Sequence, residues 1–164
     1  MENTENLRVE ALRIEEDSTY SSKAHYEAAR RWGKIYLWLG IPTAIIAGVS
    51  GVSAFEEQTL LAGVAAIIAA ALASISTFLN PSEKAQAHYT AGFKFTALKN
   101  NARIFREIEL NDSNSKNPKS DLLKLSSERH SINEVSPQIP RWAFEKARKG
   151  IEEGESTYAV DSAE

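Results

Sequence analysis

The chain has 164 residues, a quarter of them charged, with a formal net charge of −3 and no cysteine. A disulfide framework, a thiolate metal site and a cysteine nucleophile are thereby excluded, and the near-balanced charge offers no single field for a polyanion such as nucleic acid. Whole-chain averages hide the main feature, which is that apolar residues concentrate in residues 35–79 between two charge-rich flanks.

Residues 1–34 are polar and acidic at the start, through Glu2, Glu5, Glu10, Glu15, Glu16 and Asp17. A secretory signal needs a basic start and a short apolar run close to the N-terminus, so none is expected here. Leu7, Ala11, Ile14 and Ser18 recur at helical spacing, and the segment is predicted to be an N-terminal cytoplasmic helix that runs into the next element. Paired acids such as Glu15 and Glu16 read as solvated helix surface.

Residues 35–55 carry no charged side chain, and neither do residues 58–82. A helix of roughly 20 residues covers the ~30 Å hydrocarbon core of a bilayer, so each run is long enough to span it. Transmembrane helices are predicted at 35–55 and 59–80, joined by an outer turn at Glu56, Glu57 and Gln58. Trp32, Tyr36 and Trp38 suit the inner interface, and Pro42 is expected to bend the first span. Lys23, Arg30, Arg31 and Lys34 precede the first run and Lys84, Lys94 and Lys99 follow the second, whereas the turn has no base. Lys and Arg stay on the cytoplasmic side, so both termini are expected there. The competing reading, a soluble bundle with a very apolar central hairpin, requires the polar flanks to cover both runs on every side.

Residues 81–110 are predicted to continue the second span as a cytoplasmic helix, with Tyr89, Phe93, Ala97, Ile104 and Ile108 as its apolar positions. Residues 111–118 are a loop by composition. Residues 119–150 hold the C-terminal helices, the first with Leu122, Leu125 and Arg129 near one face, the second opened by Pro140. The acidic stretch 151–164 is expected to be disordered. The fold class that follows is an all-α membrane protein: a two-helix transmembrane hairpin with helical cytoplasmic extensions and a C-terminal cytoplasmic helical segment.

A short repeat links the flanks. Ala24-His25-Tyr26-Glu27-Ala28 before the first span is echoed by Ala87-His88-Tyr89-Thr90-Ala91 after the second. On continuous helices both His-Tyr pairs lie about 12–14 Å below the span ends, so His25, Tyr26, His88 and Tyr89 are candidates for a cytoplasmic helix contact. A moist packing contact is the preferred reading over a pH-sensing or ligand-binding one.

Enzyme signatures are lacking. Gly33-Lys34 has neither the upstream glycine nor the following Ser/Thr of a phosphate loop, and Gly48-Val49-Ser50-Gly51 has the wrong spacing for a nucleophile elbow. His25, His88 and His130 have no metal-ligand spacing. No catalytic, cofactor-binding or metal residue is expected. The spans instead offer small-residue faces: Thr43, Ala47 and Ser50 on the first, and Ala62, Ala66, Ala69, Ala73, Ser76 and Asn80 on the second. Leu37, Ile41, Ile45 and Val52, and Val64, Ile68, Leu72, Ile75 and Leu79, lie opposite. Small residues let helices approach closely and bulky ones suit lipid. The small faces either join the two helices of one hairpin or extend to association between copies, where they are candidate pore-lining positions.

Three segments carry a resemblance to a known family: Trp38-Leu39-Gly40-Ile41-Pro42; Phe78-Leu79-Asn80-Pro81-Ser82-Glu83-Lys84 with Ala87-His88-Tyr89; and Glu128-Arg129-His130 followed by Pro137-Gln138-Ile139-Pro140. In their order and spacing the chain resembles the SLATT proteins, two-transmembrane effector domains of bacterial nucleotide-signalling conflict systems. The resemblance implies an oligomeric pore-forming or membrane-disrupting effector of the bacterial inner membrane, acting in antiviral defence. It also implies a separate nucleotide-sensing or nucleotide-synthesising partner. A non-conducting membrane anchor or scaffold that recruits a cytoplasmic partner is the alternative.

Overall fold

A computed structural model describes residues 2–111 and 117–158 of the chain, which are mostly helical, with no strand among them. The helices are α1 (Glu2–Phe55), α2 (Thr59–Leu79), α3 (Pro81–Glu107), α4 (Pro118–Val135) and α5 (Arg141–Glu152), with a 3-10 turn at Glu109–Asn111. Most of the loop predicted at 111–118, and residues 159–164 of the predicted disordered tail, lie outside the described residues. The chain divides into two compact units: a hairpin unit, Ala29–Gln86, and a helical-core unit, Met1–Ala28 with Ala87–Glu164.

In the hairpin unit α1 stays helical through Pro42. It ends in a turn where the Gln58 N–H donates to the Ser53 carbonyl at 2.9 Å and the Glu57 N–H to the Ala54 carbonyl at 3.4 Å. This is a Schellman arrangement, which satisfies the last carbonyls of a helix by putting one residue in the left-handed region. Glu57, at φ 61°, takes the place that glycine usually fills. The second run does not pass unbroken into the next helix, as the sequence reading expected. Pro81 has no N–H to donate, and Asn80 turns left-handed at φ 43° while its N–H still reaches the Ser76 carbonyl at 3.0 Å. Asparagine tolerates this conformation better than other side-chain-bearing residues. The Asn80 side-chain amide donates to the Glu83 carboxylate, tying the break to the first turn of α3.

The helical-core unit is organised by a three-four repeat on α1 and α3. Leu7, Ala11, Ile14, Ser18, Ser22 and His25 are buried on α1, and His88, Ala91, Phe95, Leu98, Ala102 and Phe105 on α3. Such spacing keeps one stripe of each helix facing its neighbour along the whole contact. Leu122, Leu125 and Ile132 of α4 complete the apolar cluster. Of the apolar positions from which the helix over 81–110 is expected, Tyr89, Phe93, Ile104 and Ile108 are exposed, and a different stripe is buried. Both stripes have helical periodicity, and periodicity alone does not say which meets α1.

Charges then fix the register. Arg106 pairs with Glu15 at 3.0 Å, Arg129 with Asp17 at 2.7 Å and Lys146 with Glu27 at 2.6 Å, so α1 is bridged to α3, α4 and α5 in turn. Glu15 is therefore an ion-pair partner with a side chain only 14% exposed, not a solvated acid. Asn117 caps α4 by accepting the Ser120 N–H at 3.2 Å, with Pro118 in the first turn. The predicted disorder of 151–164 does not hold for its described part. Glu155 pairs with Lys23 at 3.2 Å, and Tyr158 lies against Lys99 and Arg103.

Replacing Phe105, 1% exposed, by alanine should lower unfolding stability by about 3–5 kcal/mol, whereas Phe93→Ala on the opposite stripe should cost under about 1 kcal/mol. Chemical denaturation followed by far-UV circular dichroism in detergent reads both; equal losses would mean that α3 packs through the other face.

Candidate functional site

Two places in the chain hold the residues singled out from the sequence. The first is the hairpin unit, whose apolar surface is largely uncovered. Trp38, Ile41, Ile45, Val52, Leu60, Ile67 and Phe78 are all exposed. Two helical runs, Thr4–Phe55 and Thr59–Asn111, are long and apolar enough to cross a membrane by length and composition. None of the apolar window of the first is buried, and 17% of that of the second. A core helix of a soluble bundle passes the same length test but is mostly buried.

Within the hairpin the small-residue faces are divided. Ala62, Ala65 and Ala69 are buried, and Thr43, Ser50 and Ser76 half-buried. Ala47, Ala66, Ala73 and Asn80 remain exposed. Ala65 lay outside the sequence-predicted set because a four-residue step from Ala62 leads to Ala66, whereas the packed stripe takes a three-residue step there. The Ser50 hydroxyl donates to the Ala62 carbonyl at 2.8 Å, a bond from one helix to the other that needs the close approach alanine permits. Thr43 turns its hydroxyl back onto the Leu39 carbonyl at 2.6 Å. At the base, the Lys84 ammonium sits 4.6 Å from the Trp32 ring centroid, a cation–π contact between α3 and α1.

The second place lies in the helical-core unit, where His25, Tyr26, His88 and Tyr89 come together. The Nδ1 atoms of His25 and His88 are 2.9 Å apart, and both rings are buried, at 1% and 5% exposure. Such a bond needs one Nδ1 protonated and the other bare, so two neutral rings here must be opposite in tautomer at that atom. His25 also stacks on Phe95, with centroids 5.6 Å apart and planes at 14°. Tyr26 and Tyr89 meet edge to face at 5.7 Å. Thr96 donates its hydroxyl to the Gly92 carbonyl, leaving its oxygen to accept from the Tyr26 hydroxyl at 3.3 Å. Gly92 suits this contact, because a Cβ there would lie 3.0 Å from the Tyr26 ring, which would have to shift by a few tenths of an ångström.

Burial pushes the His25 imidazole well below its ordinary range, to about 4, and the neighbouring His88 adds to the fall. Burial lowers His88 as well. Both effects disfavour the charged ring, because a proton brought into this contact has no carboxylate to face. Among the described residues no group of three or more His, Cys, Asp or Glu is placed to hold a metal ion.

No family model matches the chain, and no curated protein or solved structure is significantly similar to it.

The histidine pair gives a signed pH dependence. Folded His25 stays neutral down to about pH 4 while the unfolded chain takes up its proton near 6.5, so the contribution of this residue is complete above pH 6.5 and is lost as pH falls toward 4. At pH 5 the loss should be about 2 kcal/mol relative to pH 7. Denaturation curves at the two pH values check it, and His25→Gln should shrink the difference by at least about half; an unchanged difference would assign the effect to other groups.

Proposed function

We propose that the chain is an oligomeric membrane effector of a bacterial conflict response, which crosses the inner membrane as a two-span hairpin and permeabilises it when copies associate. The observation that carries this reading is the uncovered apolar surface of the hairpin unit, where neither long window is appreciably buried. Water tolerates exposed apolar patches of a few hundred Å² on soluble monomers, and a surface bearing Ile41, Ile45, Leu60, Ile67 and Phe78 in the open is better matched to lipid.

The topology in this reading has both termini in the cytoplasm and the acidic Glu56-Glu57 tip outside. Its support is the placement of Arg30, Arg31, Lys34 and Lys84 beside the apolar runs. Association between copies draws support from the division of the small faces: Ala62 and Ala69 are used within the hairpin, while Ala47, Ala66 and Ala73 remain available to a second copy. Two helices cannot enclose a water-filled path, so conduction requires several copies. The SLATT-like motifs support the bacterial setting and a trigger supplied by a separate nucleotide-sensing or nucleotide-synthesising protein.

A non-conducting anchor that recruits a cytoplasmic partner is the second reading. It is favoured by the exposed stripe of Tyr89, Phe93 and Ile104 on α3, with Ile108 just beyond its end. Reconstitution separates the two. The purified full chain, inserted into vesicles loaded with a self-quenched dye, should release the dye at high protein-to-lipid ratio, and Ala66→Leu with Ala73→Leu should slow release by about tenfold or more by blocking close approach. Vesicles that stay sealed around verifiably inserted protein would contradict the effector reading and favour the anchor.

A further inference from the structure

The helical-core unit has an open cavity of about 510 Å³ that none of the features above uses, with walls from α1, α3 and the segment after α5. Its size falls within the range of small-molecule sites, roughly 300–1,000 Å³. Three bases of α3 line it: Lys99, Arg103 and Arg106. Like charges four apart on a helix repel each other, so Lys99 and Arg103 on one face call for a counter-charge. The two acids of the cavity, Glu15 and Glu107, are both engaged by Arg106. Lys99 and Arg103 have no carboxylate partner among the described residues.

What these two bases do have is an aromatic ring. The Lys99 ammonium lies 5.0 Å from the Tyr158 ring centroid and the Arg103 guanidinium carbon 4.9 Å from it. A ring orients cations through its quadrupole but does not neutralise them. Tyr158 itself is 39% exposed. A third feature points the same way. Ser156 lines the cavity, and its hydroxyl oxygen is buried with no hydrogen-bond partner among the described residues. An unsatisfied buried hydroxyl costs about 1–3 kcal/mol, and such groups are normally satisfied by water or a ligand. The other two hydroxyl-bearing residues of the cavity are engaged: Thr19 donates to the Glu15 carbonyl at 2.8 Å, and the Tyr158 oxygen accepts from the Lys99 ammonium at 3.4 Å.

We propose that this cavity binds a phosphorylated small molecule with a planar ring, the chemistry of a nucleoside phosphate. The phosphoryl oxygens lie between Lys99 and Arg103 and accept from the Ser156 hydroxyl, and the ring lies on Tyr158. A phosphoryl group carries nearly two negative charges at neutral pH and matches two uncompensated bases, whereas a single carboxylate leaves one of them unmatched. Arginine suits this geometry because its planar fork meets two phosphoryl oxygens at once. The site rests on the helical-core unit alone and does not depend on membrane permeabilisation.

Calorimetric titration of the full chain in detergent tests it, with a purine and a pyrimidine nucleoside monophosphate, the unphosphorylated nucleosides and inorganic phosphate as probes. At least one nucleotide should bind about tenfold or more tightly than both its nucleoside and inorganic phosphate. Lys99→Ala with Arg103→Ala should weaken that binding by about tenfold or more, and Tyr158→Leu should bring the nucleotide down to the affinity of inorganic phosphate. Unliganded melting curves establish that the variants are folded, and the wild-type titrations decide the matter even where a variant is not. No saturable binding of any nucleotide up to about 1 mM overturns the proposal, as does nucleotide binding that the folded double variant retains in full. Inorganic phosphate binding as tightly as the nucleotides overturns the ring assignment.

Discussion

Apolar helix surface that the chain does not cover must be withdrawn from water by something else, and the hairpin unit is arranged around that constraint. Its two runs contain no charged side chain, so neither has a stripe suited to water. A helix is the form that satisfies every backbone N–H and carbonyl internally, which is what an apolar medium demands. The devices at its ends serve the same requirement. The Schellman turn at Glu57 closes the carbonyls of α1 within three residues, and the left-handed Asn80 satisfies α2 before Pro81 begins the next helix. Inside the hairpin the polar groups are spent locally: Ser50 reaches the Ala62 carbonyl, while Thr43, Ser74 and Thr77 turn back on their own helices.

The helical-core unit is organised differently. Its apolar stripes are narrow, its rims are laced with ion pairs, and its most unusual buried group is a pair of neutral imidazoles. Two histidines at successive positions of a packed repeat are less stabilising than two aliphatic residues, and they survive burial because each satisfies the other. That mutual bond is conditional on the accepting Nδ1 staying unprotonated. Elsewhere in the same stripe the Ser18 hydroxyl is buried with no partner among the described residues, so this seam of α1 carries an unsatisfied polar group beside its alanine and isoleucine neighbours.

The all-helical class and the two long apolar helices were legible in the sequence, because uncharged runs of that length have few other solutions. The spacing of Leu7, Ala11, Ile14 and Ser18 was legible for the same reason, since one stripe of apolar or small residues on a polar segment has only one way to face a partner. Less was readable where two answers share one pattern. On α3 the stripe through Tyr89 and Phe93 and the stripe through Phe95 and Leu98 both repeat at helical spacing, and only the partner surface of α1 selects between them. Ala65 was missed on α2 for the same reason. The order of residues 151–158 was hidden because it comes from Lys23, Lys99 and Arg103, far away in sequence; acidic composition alone reads as disorder. The cavity beside Tyr158 was invisible for that reason too.

The absence of native cysteine makes the central claim, a hairpin that crosses the membrane with its tip outside, directly measurable. Single cysteines introduced as Glu57→Cys at the tip and Ser127→Cys on the exposed face of α4 are probed with a membrane-impermeant maleimide in intact spheroplasts and after lysis. The account predicts labelling of the Glu57→Cys protein in intact spheroplasts, and of the Ser127→Cys protein only after lysis. Labelling of Ser127→Cys in intact spheroplasts, protection of Glu57→Cys until lysis, or recovery of the protein in the soluble fraction would contradict it.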